Sequence, residues 1–409
     1  MKLSAFSADS HVNEPPDLFI SRVSKSFGDR APHVIDIENG GQAWRIEGVK
    51  EPMPLGLTAV NFRAQKRFDR SNYKQKFLEY RDGVRRGVRF EDILAGSFDP
   101  KARLLEQDED HVQAEVLYAS PTVWAGVKAT QDPALRLACF RAYNDWMAEF
   151  TAVSPDRLLG VGLIPNTGID DAVSELRRCI VDLKLRTVAL ESYPSGSFER
   201  PTPEDDRFWA LAAELNVPIA LHATFTFPSN AGELFAKGDH RLQQIMTAGS
   251  YEKVLEALII DGLFDRFPTL MFIGAEVNGA WIPHYIEQFD RSYRRHREAL
   301  DLNLKLLPSE YFHRNSGITF IIDEGAVHSR HFIGISNMMW CSDFPHSISN
   351  WPIDVEIALA QMTELSRAER DRLMWRTAAD LYRLPYDPVR SGVVDSASTV
   401  SAELETQGA

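Results

Sequence analysis

Short, near-continuous apolar runs alternate along this chain with longer stretches of helical periodicity. The runs are SAFSAD (4–9), AEVLYA (114–119), LLGVGLI (158–164), TVALES (187–192), VPIALH (217–222), TLMFIGAE (269–276), ITFII (318–322) and NMMWCSD (337–343). A strand that is apolar throughout has to be covered on both faces, which is the situation of a parallel sheet. Between the runs, residues 133–150 carry helical periodicity, 170–183 open on acidic residues, and 251–264 end near Gly262 and Pro268. These are start and stop signals of helices. Eight strands with helices between them predict an α/β fold, a (β/α)8 TIM barrel over residues 1–387. A doubly wound open sheet is the alternative, disfavoured because no GxGxxG follows the first run.

Two segments stand outside the alternation. Residues 20–100 separate the first strand from its partner helix and are too long for an ordinary barrel loop. They are expected to form an ordered insertion or lid after the first strand. Within it, residues 62–89 hold ten Lys/Arg against three acids in a chain whose net charge is −13. That run is a solvated face or subunit contact, or else it attracts an anionic substrate such as a carboxylate or the phosphates of an acyl-CoA. Residues 388–409 are rich in Ser, Thr and Ala and are expected to form a flexible C-terminal tail.

Composition narrows the partners. The acidic balance argues against nucleic acid. No stretch reaches the roughly 18 apolar residues of a membrane span. Cys139, Cys179 and Cys341 lack CxxC spacing, which excludes a disulfide scaffold and a thiolate zinc site. The first twelve residues lack the features of a signal peptide. A reduced, soluble, cytoplasmic protein is expected, and as an acidic barrel it is expected to form a homo-oligomer, a dimer.

Barrel active sites are built from the C-terminal ends of strands. Here the first run ends Asp9-Ser10-His11, the fifth in His222, the sixth in Glu276 and the eighth in Asp343. Asp9 and His11 share a side of an extended strand because the side-chain period is two. With His222, Asp343 and Glu276 they make a mixed nitrogen and oxygen set suited to one divalent metal ion: zinc, iron or manganese. Each residue has a plainer reading when taken singly. Asp-Ser-His forms turns, His222 suits a core, Glu276 suits an ion pair with an arginine, and Asp343 suits a helix cap. It is the four endings together that point to a metal. His346, three residues beyond Asp343, is placed to hold a ligand or a substrate carboxylate. Tyr193, just after the fourth run, could donate to an oxyanion or simply pack before Pro194. His284 and His328 follow the sixth and seventh runs and are candidates to line the pocket.

The blocks ADSHVNEPPDLF, FDPKARLLEQDEDHVQAEVLYAS, PIALHA and MMWCSDFPHSISNWP, in this order, resemble the amidohydrolase-related group of the amidohydrolase superfamily. That group includes the aminocarboxymuconate-semialdehyde decarboxylase-like enzymes. The resemblance spans most of residues 3–385 and implies metal ligation by the first-strand motif, His222 and Asp343. It departs in two places. The usual HxH opening is here Asp9-Ser10-His11, and Glu276-Val277-Asn278-Gly279 stands where the decarboxylase-like members carry an acid/base histidine followed by glycines.

Two reactions share such a site. In hydrolysis, water activated by the metal attacks the carbonyl of a thioester, ester, amide or activated C–C bond, and Asp343 takes the proton. In non-oxidative decarboxylation of an aromatic or unsaturated carboxylic acid, a nearby acid protonates the carbon that CO2 leaves. Glu276 or His346 would be that acid, and a carboxylic acid would need its pKa raised by burial. The missing histidine favours hydrolysis of a small organic or acyl-CoA substrate, with decarboxylation as the alternative. A catalytically silent binding barrel is a third reading.

Overall fold

The computed structural model describes residues 5–38, 40–55, 87–223, 249–346 and 348–384. In chain order the strands are β1 (Ala5–His11), β2 (His33–Asp36), β3 (Gln42–Arg45), β4 (Met53–Pro54), β5 (Val112–Tyr118), β6 (Leu158–Ile164), β7 (Thr187–Leu190), β8 (Ile219–His222), β9 (Phe272–Ala275), β10 (Ser316–Phe320) and β11 (Met338–Trp340). Eight of them form one parallel sheet in the order β1-β5-β6-β7-β8-β9-β10-β11, while β2, β3 and β4 make a small antiparallel sheet. The sheet curls until its edges meet. Asp343 N–H donates to the Asp9 carbonyl at 3.0 Å, and His11 N–H donates to the Phe344 carbonyl at 2.7 Å. The predicted (β/α)8 barrel, with an insertion after its first strand, is the observed fold.

The barrel strands are largely apolar because helices cover their outer faces and side chains fill the axis. Gly160 and Gly162 show how closely the helices approach: a Cβ on Gly160 would stand 2.6 Å from Met147 Cγ, and one on Gly162 would stand 2.8 Å from Cys179 Sγ. β1 departs furthest, with Ser7, Asp9, Ser10 and His11 all buried. Its register against β5 shifts between Ser7 and Ser10, an irregularity common beside active sites. The shift lets the hydroxyls of Ser7 and Ser10 meet at 2.9 Å, each with Ser342 Oγ 3.1 Å away. These polar contacts explain why the strand runs past the apolar stretch to His11.

Helices begin where the sequence indicates. Asp99 caps Pro100–Glu109 by accepting from the Lys101 and Ala102 N–H groups, and Asp132 caps Pro133–Thr151 in the same way. The helix expected over 251–264 is two, Gly249–Ile260 and Leu263–Arg266, because Gly262 turns left-handed at φ +70°. No helix among the described residues is long and apolar enough to cross a membrane. The tail and most of the basic run lie outside the described residues. Within the described part of that run, Arg89 pairs with Asp36 at 3.0 Å and Glu91 at 3.2 Å.

Candidate active site

The barrel gathers the predicted residues at one end. Asp9, His11 and His222 bring their ligand atoms within 4.8 Å of one another, and so do His11, Asp343 and His346. His11 belongs to both trios. Its Nδ1 lies 3.0 Å from Asp343 Oδ1 and 3.9 Å from Asp9 Oδ1. His222 Nε2 is 3.7 Å from Asp9 Oδ2 and 3.9 Å from Glu276 Oε2. His346 Nδ1 stands 3.0 Å from the same Asp343 oxygen, and its ring packs on that of His11 with centroids 3.9 Å apart. Glu276 therefore stands at the edge of the cluster, while His346, expected to hold a ligand or substrate carboxylate or to act as the acid, takes part in a trio.

The two carboxylates that follow β9 and β11 sit on unusual backbone. Glu276 has φ 59° and Asp343 φ 53°, the left-handed region that residues with a Cβ seldom adopt. Such strain costs about 1–3 kcal/mol per residue and persists only where neighbours enforce it. The enforcing contacts are visible. Thr319 Oγ1 accepts from Glu276 N–H at 2.7 Å, and the Asp9 carbonyl accepts from Asp343 N–H at 3.0 Å. Thr319 Oγ1 also donates to Asp9 Oδ2 at 3.5 Å, so one threonine steadies both the Asp9 carboxylate and the Glu276 turn.

Crowding sets the charges. Burial raises the Asp9 carboxyl, partly countered by His222. Burial, reinforced by His346, holds the His11 imidazole well below its ordinary value and therefore neutral, the form that can bind a metal. Burial opposes protonation of His222, but the Asp9 carboxylate outweighs it and carries the imidazole up to about 9. Burial of Asp343 is outweighed by His346 and His11, so its carboxyl falls below the usual range and stays ionised. Glu276 goes the opposite way, held well above the carboxylate range by burial and by the Asp343 charge.

Asp9 Oδ1, His11 Nε2, Asp343 Oδ2 and His346 Nε2 are buried without a hydrogen-bond partner. So many polar atoms without partners would be costly in a finished core. They fit a divalent cation, which needs lone pairs pointed at one place. The absence of thiolates and the surplus of carboxylates suit manganese, iron or zinc.

The remaining candidates fall elsewhere. Tyr193 lies in a turn after β7, its N–H donating to the Ser197 carbonyl at 2.9 Å. Burial, then Asp205 and Asp261, raise its phenol, and neither acid belongs to the cluster. His284 and His328 do not line the pocket: both are exposed on helices, Ile282–His296 and Glu324–His328, and His328 Nδ1 sits 2.7 Å from the Glu324 carbonyl. Tyr118 ends β5 with its ring 5.8 Å from that of His11 and 5.3 Å from that of His222, giving the cluster an aromatic wall. Thr319 was not anticipated. Its one signal is a polar residue inside the apolar run ITFII.

Glu14 yields a pH prediction. Its Oε1 accepts from Trp124 Nε1 at 2.8 Å and Ser120 N–H at 3.1 Å, and burial pushes its carboxyl up to about 7. An unfolded glutamate titrates near about 4.3, so between the two values the folded chain holds a proton that the unfolded chain has released. The stabilisation is complete below the lower value and is lost, by about 4 kcal/mol, as pH rises through the upper one. Denaturant unfolding across pH 4–8 should show this decline in the wild type and a flatter profile in Glu14→Gln. Parallel profiles would contradict it.

The amidohydrolase family model matches residues 94–384. The gamma-resorcylate decarboxylase of Polaromonas sp. is 25% identical over 305 residues, covering 70% of this chain and 87% of that protein. The crystal structure of an amidohydrolase from Mycobacterium avium subsp. paratuberculosis superimposes with a TM-score of 0.69 at 18% identity, over 93% of this chain and 100% of that one. A Polaromonas dihydroxybenzoic acid decarboxylase, with bound manganese and the inhibitor 2-nitroresorcinol, superimposes with a TM-score of 0.59 at 19% identity, over 94% of this chain and 98% of its own. At these identities the two crystal structures speak to the fold.

Proposed function

The chain belongs to the amidohydrolase family, and from that premise we propose that it is a metal-dependent carboxy-lyase acting on a small aromatic or unsaturated carboxylic acid. The observation that carries the reading is the placement of Glu276. Its carboxyl stands 3.9 Å from His222 and is 17% exposed, whereas Asp9, His11 and Asp343 are at most 1% exposed. It is thus the acid of the cluster that reaches toward the mouth. Burial and the Asp343 charge raise its carboxyl well above the usual carboxylate range, the direction that decarboxylation asks of a carboxylic acid in this role. Replacement of the family's histidine therefore does not remove the proton donor; it exchanges an imidazolium for a protonated carboxyl.

Asp9, His11, His222 and Asp343 would hold the ion. A bound ion would supply Lewis acidity toward the oxygens of the substrate's carboxylate. The side chains do the rest. The bond from the substrate carbon to its carboxylate breaks, and the electron pair stays on that carbon, spread toward an adjacent oxygen. Glu276 delivers its proton to the carbon as CO2 departs, and the glutamate regains a proton from water. Asp343, whose carboxyl His346 and His11 hold below the usual range, would offer the ion an ionised oxygen. Tyr118 offers its ring to a planar substrate. Tyr193 is given no chemical step.

Hydrolysis, which the sequence favoured, would use the ionised Asp343 as its base. The decarboxylase relatives support the carboxy-lyase reading over it. The discriminating experiment incubates the manganese-loaded protein in D2O with a panel of hydroxybenzoates and, separately, with acyl-CoA thioesters. A product carrying one deuterium at the vacated carbon is the expected result. Thiol release from thioesters, with no CO2 from any acid, would replace the proposal with hydrolysis.

A further inference from the structure

Arg103 is wholly buried, with 0% of its side chain exposed, and it touches both halves of the ligand cluster through the backbone. Its Nη1 donates to the carbonyl of His11 at 2.9 Å and, more weakly, to that of Gly96 at 3.4 Å. Its Nη2 donates to the carbonyl of Phe344, the residue after Asp343, at 3.4 Å. That carbonyl also accepts the His11 N–H at 2.7 Å. The guanidinium lies 4.5 Å from the centroid of the Phe344 ring. Nε is held by Glu115 Oε2 at 2.6 Å, and Gln107 Nε2 reaches the same oxygen at 2.7 Å. The other Glu115 oxygen accepts from Ser10 Oγ at 3.0 Å, between the two first-strand ligands.

A buried ion pair is seldom a source of net stability, since desolvation of both charges offsets their attraction. This one has a geometric output instead. A planar guanidinium with donors in a fixed fork spaces the His11 carbonyl from the Phe344 carbonyl, which a single ammonium cannot do. We propose that Arg103 is the positioning residue of the cluster, setting the distance between Asp9 and His11 on β1 and Asp343 beyond β11, so that metal affinity depends on it. The proposal rests on the metal-site reading above.

The test is Mn2+ binding to chelator-stripped protein, with free Mn2+ read by electron paramagnetic resonance well below each variant's melting temperature. Arg103→Lys keeps the charge opposite Glu115 but loses the fork, and it should weaken binding about 10- to 100-fold, the range typical of residues that orient metal ligands. A control for stability alone is Asn315→Ala, which removes a buried amide bonded to the Pro268 and Leu270 carbonyls at 3.0 and 2.7 Å, outside the cluster. It should melt earlier and bind Mn2+ as the wild type does. Wild-type affinity in Arg103→Lys would overturn the proposal, as would equal weakening in the control. If Arg103→Lys does not fold, Glu115→Gln, which loosens the guanidinium's anchor, decides by the same criterion. A wild type that binds no Mn2+ would overturn the metal reading itself, and Arg103 with it.

Discussion

Replacing His222 by alanine is expected to give a folded barrel that no longer retains a stoichiometric metal ion and has lost its activity. His222 ends β8, and its Nε2 is 3.7 Å from Asp9, so in the proposed site it is the donor that reaches across the barrel mouth to the β1 pair. Without it, the first trio keeps only two donors from one strand. The fall in turnover should be at least about a thousandfold, because the metal supplies several kcal/mol of charge stabilisation and each 1.36 kcal/mol is tenfold in rate. Elemental mass spectrometry of wild type and variant prepared in parallel measures the metal. A variant that keeps one ion per chain would show that the site lies elsewhere.

Glu276→Gln should separate binding from chemistry. Glutamine preserves the size of the side chain and leaves the Glu276 N–H bonded to Thr319. It cannot give up a proton to carbon. The variant is therefore expected to bind metal and substrate normally while turnover falls about a hundred- to ten-thousandfold, the usual range for loss of a general acid. The pH dependence follows from the raised carboxyl. The acid works while protonated, so the wild-type rate should fall on the alkaline side as pH climbs through the elevated value, and the residual rate of Glu276→Gln should lack that limb. A drop in metal content of the same size as the drop in rate would make Glu276 a ligand instead.

The barrel was legible because buried parallel strands advertise themselves as unbroken apolar runs, and their polar endings mark one face of the barrel. Asp9, His11, His222 and Asp343 could be found from those endings alone. The extent of β1 was harder, since Ser7, Ser10 and Ser342 satisfy one another across 335 residues and leave no local pattern. Arg103 and Glu115 pair over 12 residues, but the carbonyls they serve lie as far as 241 residues away. The state of Glu276 was hidden for a different reason. Whether Glu276 carries a proton depends on burial and on Asp343, which only the folded arrangement brings near.

The most direct measurement is CO2 evolution from a hydroxybenzoate panel by protein stripped of metal and then titrated with Mn2+. The account predicts no CO2 from the stripped protein, with a rate that rises with added metal and levels off at one ion per chain. CO2 release that is indifferent to metal, or none at any loading from any member of the panel, would contradict it.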